Sequence, residues 1–153
     1  MATDFDSFDH ASHMRAAIDL AREAAARGDE PFGSVLVRDD TVVMRESNRI
    51  ETEDDLRRHP ELHLAYRARR EYDPAERAEM VMYTSTEPCP MCAGGMRTAG
   101  FGRVVYSVSG AEVTEFTGDE PTVRSAEILD GVTAVVGPIL NDEGRAIHRE
   151  FDW

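Results

Sequence analysis

The sequence contains no lysine, so all 17 of its basic residues are arginine. It also has only two cysteines and one tryptophan in 153 residues. Two cysteines exclude the disulfide framework of a small secreted domain. No apolar run approaches the roughly 20 residues that a transmembrane helix needs. The acidic first residues show neither the basic nor the apolar region of a signal peptide. We therefore expect a cytoplasmic protein without a membrane segment.

Acidic side chains dominate the charge, because 30 acidic residues against 17 arginines give a formal net charge of −13. Repulsion among like charges weakens a compact state at low ionic strength, and concentrated salt screens it. Two explanations fit such a chain: a halophilic host with a salt-rich cytoplasm, or a GC-rich genome in which arginine codons replace lysine codons. A hydrophobic content of 41% excludes a disordered chain, and the length predicts a single domain, residues 1–153.

Helical and strand-like patterns alternate along the chain. Periodic apolar residues predict a first helix that ends before Gly28, and Pro60 suits the first position of a second helix. The predicted helices are 12–27, 60–69, a small-residue helix that ends near 100, 123–129 and 139–151. The predicted strands are 34–37 and 41–44, which form a hairpin, then 80–84, 104–106 and 132–136, with a polar loop at 51–58. This order predicts an α/β protein, a three-layer α/β/α sandwich around a mixed five-stranded sheet.

Both cysteines lie in one short motif, Cys89-Pro90-Met91-Cys92, at a predicted junction between a strand and a helix. This spacing lets two thiolates converge on one ion, and a helix N-terminus favours the thiolate form. The motif alone leaves three interpretations open: a redox dithiol, half of a structural zinc site, or two incidental buried thiols.

An upstream motif, His59-Pro60-Glu61, supplies what the cysteine motif lacks. One histidine and two cysteines give three protein ligands, and a tetrahedral zinc ion with three protein ligands keeps one position for water, as catalytic sites do. A closed structural site would need a fourth protein ligand. His63, one helical turn after His59, is the best candidate for it.

H-x-E followed by P-C-x-x-C is a signature of zinc-dependent nucleobase deaminases. The chain resembles the cytidine and deoxycytidylate deaminase superfamily, and within it the branch of guanine deaminases and tRNA adenosine deaminases. The matching segments occur in the family's order: 31–33, Asn48, 59–61, 84–92 and 102–106. The resemblance implies the fold of that superfamily and the activity of a hydrolytic deaminase.

The resemblance implies zinc (Zn²⁺) held by His59, Cys89 and Cys92. Zinc lowers the pKa of a bound water toward about 7. Glu61 stays off the metal, takes the proton of the attacking water and returns it to a ring nitrogen and the departing amine. Since the chain has no lysine, it cannot use a Schiff base instead.

The resemblance also implies how the base is held. The main-chain carbonyl of Glu87 orients the attacking water, Asn48 hydrogen-bonds the base, and Phe32 and Pro88 stack on its faces. Without the resemblance, Phe32 would be interpreted as an ordinary core residue. The family usually has alanine at position 60, and Pro60 departs from this pattern. Proline has no N–H that could donate to the base.

Two further residues bear on the substrate. In guanine deaminases an acidic residue after the fourth strand contacts the base, and Glu112 falls at that place; the alternative is a solvated acidic loop. Free-base deaminases close the site with an aromatic C-terminal segment, sometimes from a partner chain, which points to Trp153 or Phe151. The alternative is an aromatic that pins the last helix. The resemblance also implies a homodimer.

Charge argues against a nucleic-acid partner. Residues 49–79 carry seven arginines but nine acidic residues, whereas a surface that binds a polyanion needs a net basic stripe. We therefore expect a small-molecule nucleobase or nucleoside as substrate, with guanine first, cytosine or a small nucleoside second, and tRNA adenosine third. The alternative from a different class of function is a non-catalytic structural zinc module.

Overall fold

Five strands form one mixed sheet in the computed structural model, which describes residues 3–153. The strands are β1 (Gly33–Arg38), β2 (Thr41–Ser47), β3 (Met80–Thr86), β4 (Arg103–Val108) and β5 (Ala134–Val136). Their order across the sheet is β2-β1-β3-β4-β5. Strand β1 runs antiparallel to both β2 and β3, while β3, β4 and β5 are parallel. The predicted mixed five-stranded sheet is confirmed.

Helices cover both faces of the sheet, which confirms the predicted three-layer sandwich. The helices are α1 (His10–Arg27), α2 (Ile50–Glu53), α3 (Pro60–Glu71), α4 (Pro74–Ala78), α5 (Pro90–Ala99), α6 (Gly110–Thr117), α7 (Ser125–Ile128) and α8 (Asn141–Glu150), preceded by a short 3₁₀ turn at Phe5–Ser7. Helices α1 and α8 pack on one face, and α3 and α5 pack together on the other. No helix within residues 3–153 is long and apolar enough to cross a membrane.

The central strand β3 shows how the two cores are divided. Met80 and Met82 pack in the cluster beneath α3 and α5, whereas Val81 and Tyr83 pack in the cluster beneath α1 and α8. Successive side chains of a strand point to opposite faces, so a central strand covered on both sides is apolar over most of its length. All seven residues of β3 are buried, and its polar C-terminal end leads directly into the cysteine motif.

Helix α6 is a correction, because the sequence pattern predicts no helix between the strand at 104–106 and the helix at 123–129. The helix begins with a capping box in which Ser109 accepts from the N–H of Glu112 and Glu112 accepts from the N–H of Ser109. It contains no fully buried residue, so the apolar periodicity that reveals most helices is weak here. The predicted loop at 51–58 likewise includes most of α2, and α4 was not predicted.

Candidate active site

Three potential metal ligands meet where α3 and α5 begin. His59 immediately precedes α3, Cys89 immediately precedes α5, and Cys92 lies in the first turn of α5. Because the two helices pack side by side, their N-terminal ends bring the imidazole and the two thiols together. The three ligand atoms lie within 4.8 Å of one another, and Cys89 Sγ is 3.7 Å from His59 Nδ1. Tetrahedral zinc with ordinary bond lengths places sulfur and nitrogen ligands about 3.6 Å apart.

The chemistry of these donors also suits a metal ion. A hydrogen bond from Cys92, opposed by burial and supported by His59, lowers the pKa of Cys89 to about 4. Hydrogen bonding to Cys89 raises the pKa of His59 despite burial. The thiolate is the form of cysteine that binds metals, so the lowered pKa suits Cys89 to that role, and a convergent set of one histidine and two cysteines fits zinc. His59, Cys89 and Cys92 are therefore the residues that would hold it.

The described residues offer three ligands to this site and no fourth. His63, the candidate for a closed site, instead has its Nε2 3.6 Å from the carboxylate of Glu46 and stacks on Tyr66 at a centroid distance of 5.8 Å. The arrangement therefore favours an open three-ligand site over a closed structural one.

Glu61 lies beside this triad but outside the ligand group. Its side chain is almost fully buried, with 6% of the residue exposed. Burial, followed by the nearby Cys89 sulfur, raises the pKa of Glu61 to about 7. A carboxyl group that titrates near neutral pH can both accept and donate a proton in one catalytic cycle. Ser34, which no sequence motif singled out, has its hydroxyl 3.4 Å from Glu61 Oε1 and 2.8 Å from Thr84 Oγ1.

A cavity of about 220 Å³ opens over Glu61 and the metal ligands. Its walls come from the loop before β1, the end of β3 with the cysteine motif, one side of α6 and the segment that follows α6. The second cysteine of the motif is fully buried and does not line it. The structure does not place Asn48, Glu112 or Trp153 among the lining residues. Six of the residues singled out from the sequence do line it: Phe32, His59, Glu61, Glu87, Pro88 and Cys89.

Asn48 is nevertheless adjacent to the cavity wall. Its backbone N–H donates to the carbonyl of Phe32 at 3.0 Å, and its Oδ1 accepts from the N–H of Ile50 at 3.1 Å. Asn48 is completely buried, and its Nδ2 has no hydrogen-bond partner within residues 3–153. A buried amide donor without a partner costs about 1–3 kcal/mol, so an acceptor supplied by a ligand would satisfy it.

The carboxylate of Glu112 is hydrogen-bonded to groups outside the cavity. Its carboxylate accepts from the backbone N–H of Ser109, from Asn141 Nδ2 and from Arg145, at 2.8–3.1 Å. These contacts cap α6 and tie it to α8, so the position of Glu112 gives no support to the predicted contact with the base. The acidic residues that do line the cavity beyond α6 are Asp119 and Glu120.

Trp153 packs near Phe32 in the cavity wall without lining the cavity itself. Its ring stacks on His148 and is 6.0 Å from the ring of Phe32 between centroids, and 38% of the residue is exposed. Phe151 packs edge-on against it at 4.8 Å. The C-terminal aromatics therefore pack against Phe32 and the end of α8, and they are not among the residues that line the cavity.

The side chain of Glu87 holds the far wall of the cavity. Its buried carboxylate accepts from the N–H of Gly110, from the N–H and hydroxyl of Ser125, and from the guanidinium of Arg124, at 2.7–3.2 Å. The resemblance gave a role only to its carbonyl. The partners of the carboxylate lie 23–38 residues further along the chain, so these contacts cannot be predicted from a local sequence pattern.

The fold and the site together define a class: an α/β sandwich whose paired helix N-termini present one histidine and two cysteines beside a buried glutamate. Residues 8–108 match the family described as the cytidine and deoxycytidylate deaminase zinc-binding region. The chain belongs to this family of deaminases.

Relatives within the family act on different substrates. The chain is 31% identical to a probable cytosine deaminase of Schizosaccharomyces pombe over 92% of this chain and 90% of that protein. It is 30% identical to the guanine deaminase of Bacillus subtilis over 69% of each chain. It is 28% identical to the tRNA-specific adenosine deaminase of Bacillus subtilis over 78% of each chain.

A solved structure supports the fold. The guanine deaminase from Nitrosomonas europaea superimposes with a TM-score of 0.78, at 20% identity, over 91% of this chain and 82% of that chain. At this identity the likeness bears on the fold alone. The family and the fold are therefore established, and the substrate has to be argued from the site.

Proposed function

We propose that this chain is a zinc-dependent hydrolytic deaminase of a free aminated nucleobase, with guanine as its first substrate. The observation that carries the proposal is the position of Glu61, a buried carboxyl group that lines a cavity beside three metal-ligand atoms without belonging to them. A purely structural metal site has no use for a proton carrier at that place.

The chemistry of the chain's own residues follows from this geometry. Zinc, when bound, would supply a water molecule activated at neutral pH. Glu61 accepts a proton from the attacking water and delivers it to the ring nitrogen next to the amine-bearing carbon. The oxygen of that water bonds to the same carbon. Glu61 then takes the second proton from the hydroxyl so formed and gives it to the amine, so that the carbon–nitrogen bond breaks, a carbonyl forms and ammonia leaves. The buried surroundings of Glu61 strengthen these electrostatic interactions because they exclude bulk water.

Binding of the base rests on three residues near the cavity. Phe32 and Pro88 line it and offer apolar surfaces to the two faces of a planar ring. We assign Asn48 Nδ2, which lacks a partner among the described residues, as the donor to a ring carbonyl. Because Pro60 has no N–H, this side-chain amide takes on more of the recognition than in relatives with alanine at that position.

Acidic residues at the cavity favour a neutral base with several N–H donors. Asp119 and Glu120 line the cavity and are exposed. Guanine carries ring N–H groups as well as its amine, so it suits this lining, and a relative with 30% identity is a guanine deaminase. Cytosine is the second candidate, because the S. pombe relative matches over most of both chains. The carboxylates repel phosphates, so we rank tRNA adenosine third.

Ammonia release tests this proposal. Purified zinc-loaded protein in molar KCl is incubated with guanine, cytosine, adenine, isocytosine, their nucleosides and tRNA. We expect release from guanine or cytosine, and none from a Glu61→Gln protein with the same zinc content. Release from tRNA alone would contradict a free-base substrate, and release from no compound would favour the structural zinc module.

The same proposal covers the organisation of the protein. We take residues 1–153 to act as one deaminase domain that works in the cytoplasm as a homodimer. Sedimentation at several protein concentrations checks the dimer, and a monomer with full activity would contradict it.

A further inference from the structure

Arg27, the last residue of α1, donates three hydrogen bonds that converge next to Asn48. Its Nε contacts Asp29 Oδ2 at 2.8 Å, and a terminal nitrogen contacts Ser47 Oγ at 2.9 Å and the main-chain carbonyl of Asn48 at 2.7 Å. A guanidinium presents several donors in a rigid planar fork. One side chain therefore fixes the backbone at Asn48 relative to the end of α1.

Asp29 fixes the start of α2, which follows Asn48 in the chain. Its side chain is completely buried. Oδ1 accepts from the N–H groups of Glu51 and Thr52 at 3.0 and 2.9 Å, and Oδ2 accepts from the Thr52 hydroxyl at 2.9 Å. These groups open α2, which has no capping side chain of its own. Asp29 thus caps α2 from a distant part of the chain, so that Arg27 and Asp29 clamp the segment 47–52, which contains Asn48.

The clamp explains how Asn48 can keep an unpaired amide. The backbone of Asn48 is bonded on both sides and its Oδ1 is used by Ile50, which leaves Nδ2 as its free donor among the described residues. A side chain held so tightly cannot turn its amide toward another partner. The conformational cost of ordering this donor is therefore met on folding and not on binding the base.

We propose that Arg27 and Asp29 are positioning residues, which act through Asn48 to hold its amide donor ready for the carbonyl of the base. The proposal rests on the proposed function, because it takes Asn48 as the residue that binds the base. Neither Arg27 nor Asp29 lines the cavity, and both act through their hydrogen bonds to Asn48 and to the segment that follows it.

A double-mutant cycle separates positioning from general stability. Arg27→Met is made alone and together with Asn48→Ala, and kcat/KM is measured with the base that the protein deaminates. Alone, Arg27→Met is expected to lower kcat/KM by about tenfold, within the range of coupling found between contacting residues. In the Asn48→Ala background the same change is expected to have almost no effect. Asp29→Asn serves as the second variant if Arg27→Met folds poorly.

Two controls sharpen the cycle. Arg22→Met removes an exposed arginine of the same helix and is expected to leave kcat/KM unchanged. Zinc content is expected to stay constant in all variants, because the metal ligands are untouched. Effects of Arg27→Met and Asn48→Ala that simply multiply would overturn the proposal, since the two residues would then act independently.

A crystal structure of the Arg27→Met protein provides a readout that does not depend on activity. The Asn48 amide is expected to move or to adopt a second conformation. An Asn48 side chain unchanged in position would overturn the inference, even if the wild-type protein proves inactive. Inactivity of the wild type towards every base would instead overturn the proposed function, so the two failures are distinguishable.

Discussion

The indole of Trp153 lies nearly parallel to the imidazole of His148, with ring centroids 5.8 Å apart and 18° between the planes. The same imidazole also stacks with Phe116 at 5.5 Å. His148 approaches the ring of Phe32 as well, at 5.9 Å. An aromatic layer therefore joins the C-terminal segment to a wall of the cavity.

Replacing Trp153 with alanine is expected to raise KM by several fold with a smaller effect on kcat. The indole supports Phe32 and does not line the cavity, so its loss loosens the binding wall and leaves Glu61 in place. Trp153→Phe keeps an aromatic ring there and is expected to recover most of the loss. Steady-state kinetics check this. A collapse of kcat with KM unchanged would contradict a supporting role.

The buried His148 predicts a specific pH dependence of stability. Burial, with a smaller effect of Arg145 and against the opposing charge of Glu112, lowers the pKa of His148 to about 4. The unfolded chain, with a histidine pKa of about 6.5, then binds more protons than the folded chain, so stability falls as pH drops from about 6.5 towards 4. The loss attributable to His148 is up to about 3 kcal/mol.

A His148→Phe protein isolates this effect. Urea unfolding of both proteins, with the same zinc content, is compared at pH 7, above the window in which the histidine affects stability, and at pH 5, within that window. The variant is expected to lose less stability than the wild type on acidification, because it lacks the group that takes up the proton. Equal losses in the two proteins would show that His148 is not held neutral by the fold.

The hydrogen bonds of the Glu87 carboxylate are expected to stabilise both the fold and the cavity wall. Replacing Glu87 with glutamine is expected to lower the free energy of unfolding by about 1–3 kcal/mol, because the glutamine amide cannot accept from Ser125 and Arg124 as a carboxylate does. KM is expected to rise, since the segment between α6 and α7 loses its anchor. Urea unfolding and kinetics measure both. Glu127→Gln, an exposed change in α7, serves as the control, and equal effects of the two changes would contradict the anchor.

The net charge of −13 predicts a dependence on salt. If the chain comes from a halophilic host, its Tm is expected to rise steadily from low salt to molar KCl, because salt screens repulsion among the excess acidic groups. Thermal melts at several KCl concentrations, with zinc content held constant, decide between the two explanations. A Tm that does not rise would favour the GC-rich genome.

The sheet and the main helices could be predicted because their residues follow simple periodicities. The buried runs of β1 and β3, the apolar stripe of α1 and the position of Pro60 at the start of α3 are local signals. Helix α6 escaped the hydrophobic pattern because none of its residues is fully buried. The capping box of Ser109 and Glu112 was a signal that could have revealed it.

The site residues also divide into those that local motifs predict and those that depend on long-range contacts. His59, Glu61, Cys89 and Cys92 carry their chemistry in short motifs, so their grouping could be predicted from the sequence. The partners of the Glu87 carboxylate and the clamp that holds the substrate-binding asparagine depend on contacts between residues distant in the chain. The resemblance implied an acidic contact with the base by Glu112, whereas the hydrogen bonds of this residue to α8 are long-range contacts that no local pattern indicates.

The most direct test of the central claim is the turnover of zinc-loaded Glu61→Gln protein beside that of the wild type, with guanine and with cytosine. General acid–base catalysis contributes about 10²–10⁴-fold to a rate. We predict that the variant keeps its zinc and loses at least that much in kcat, while the wild type releases one ammonia per base consumed. A Glu61→Gln protein with full zinc and undiminished ammonia release would contradict the account.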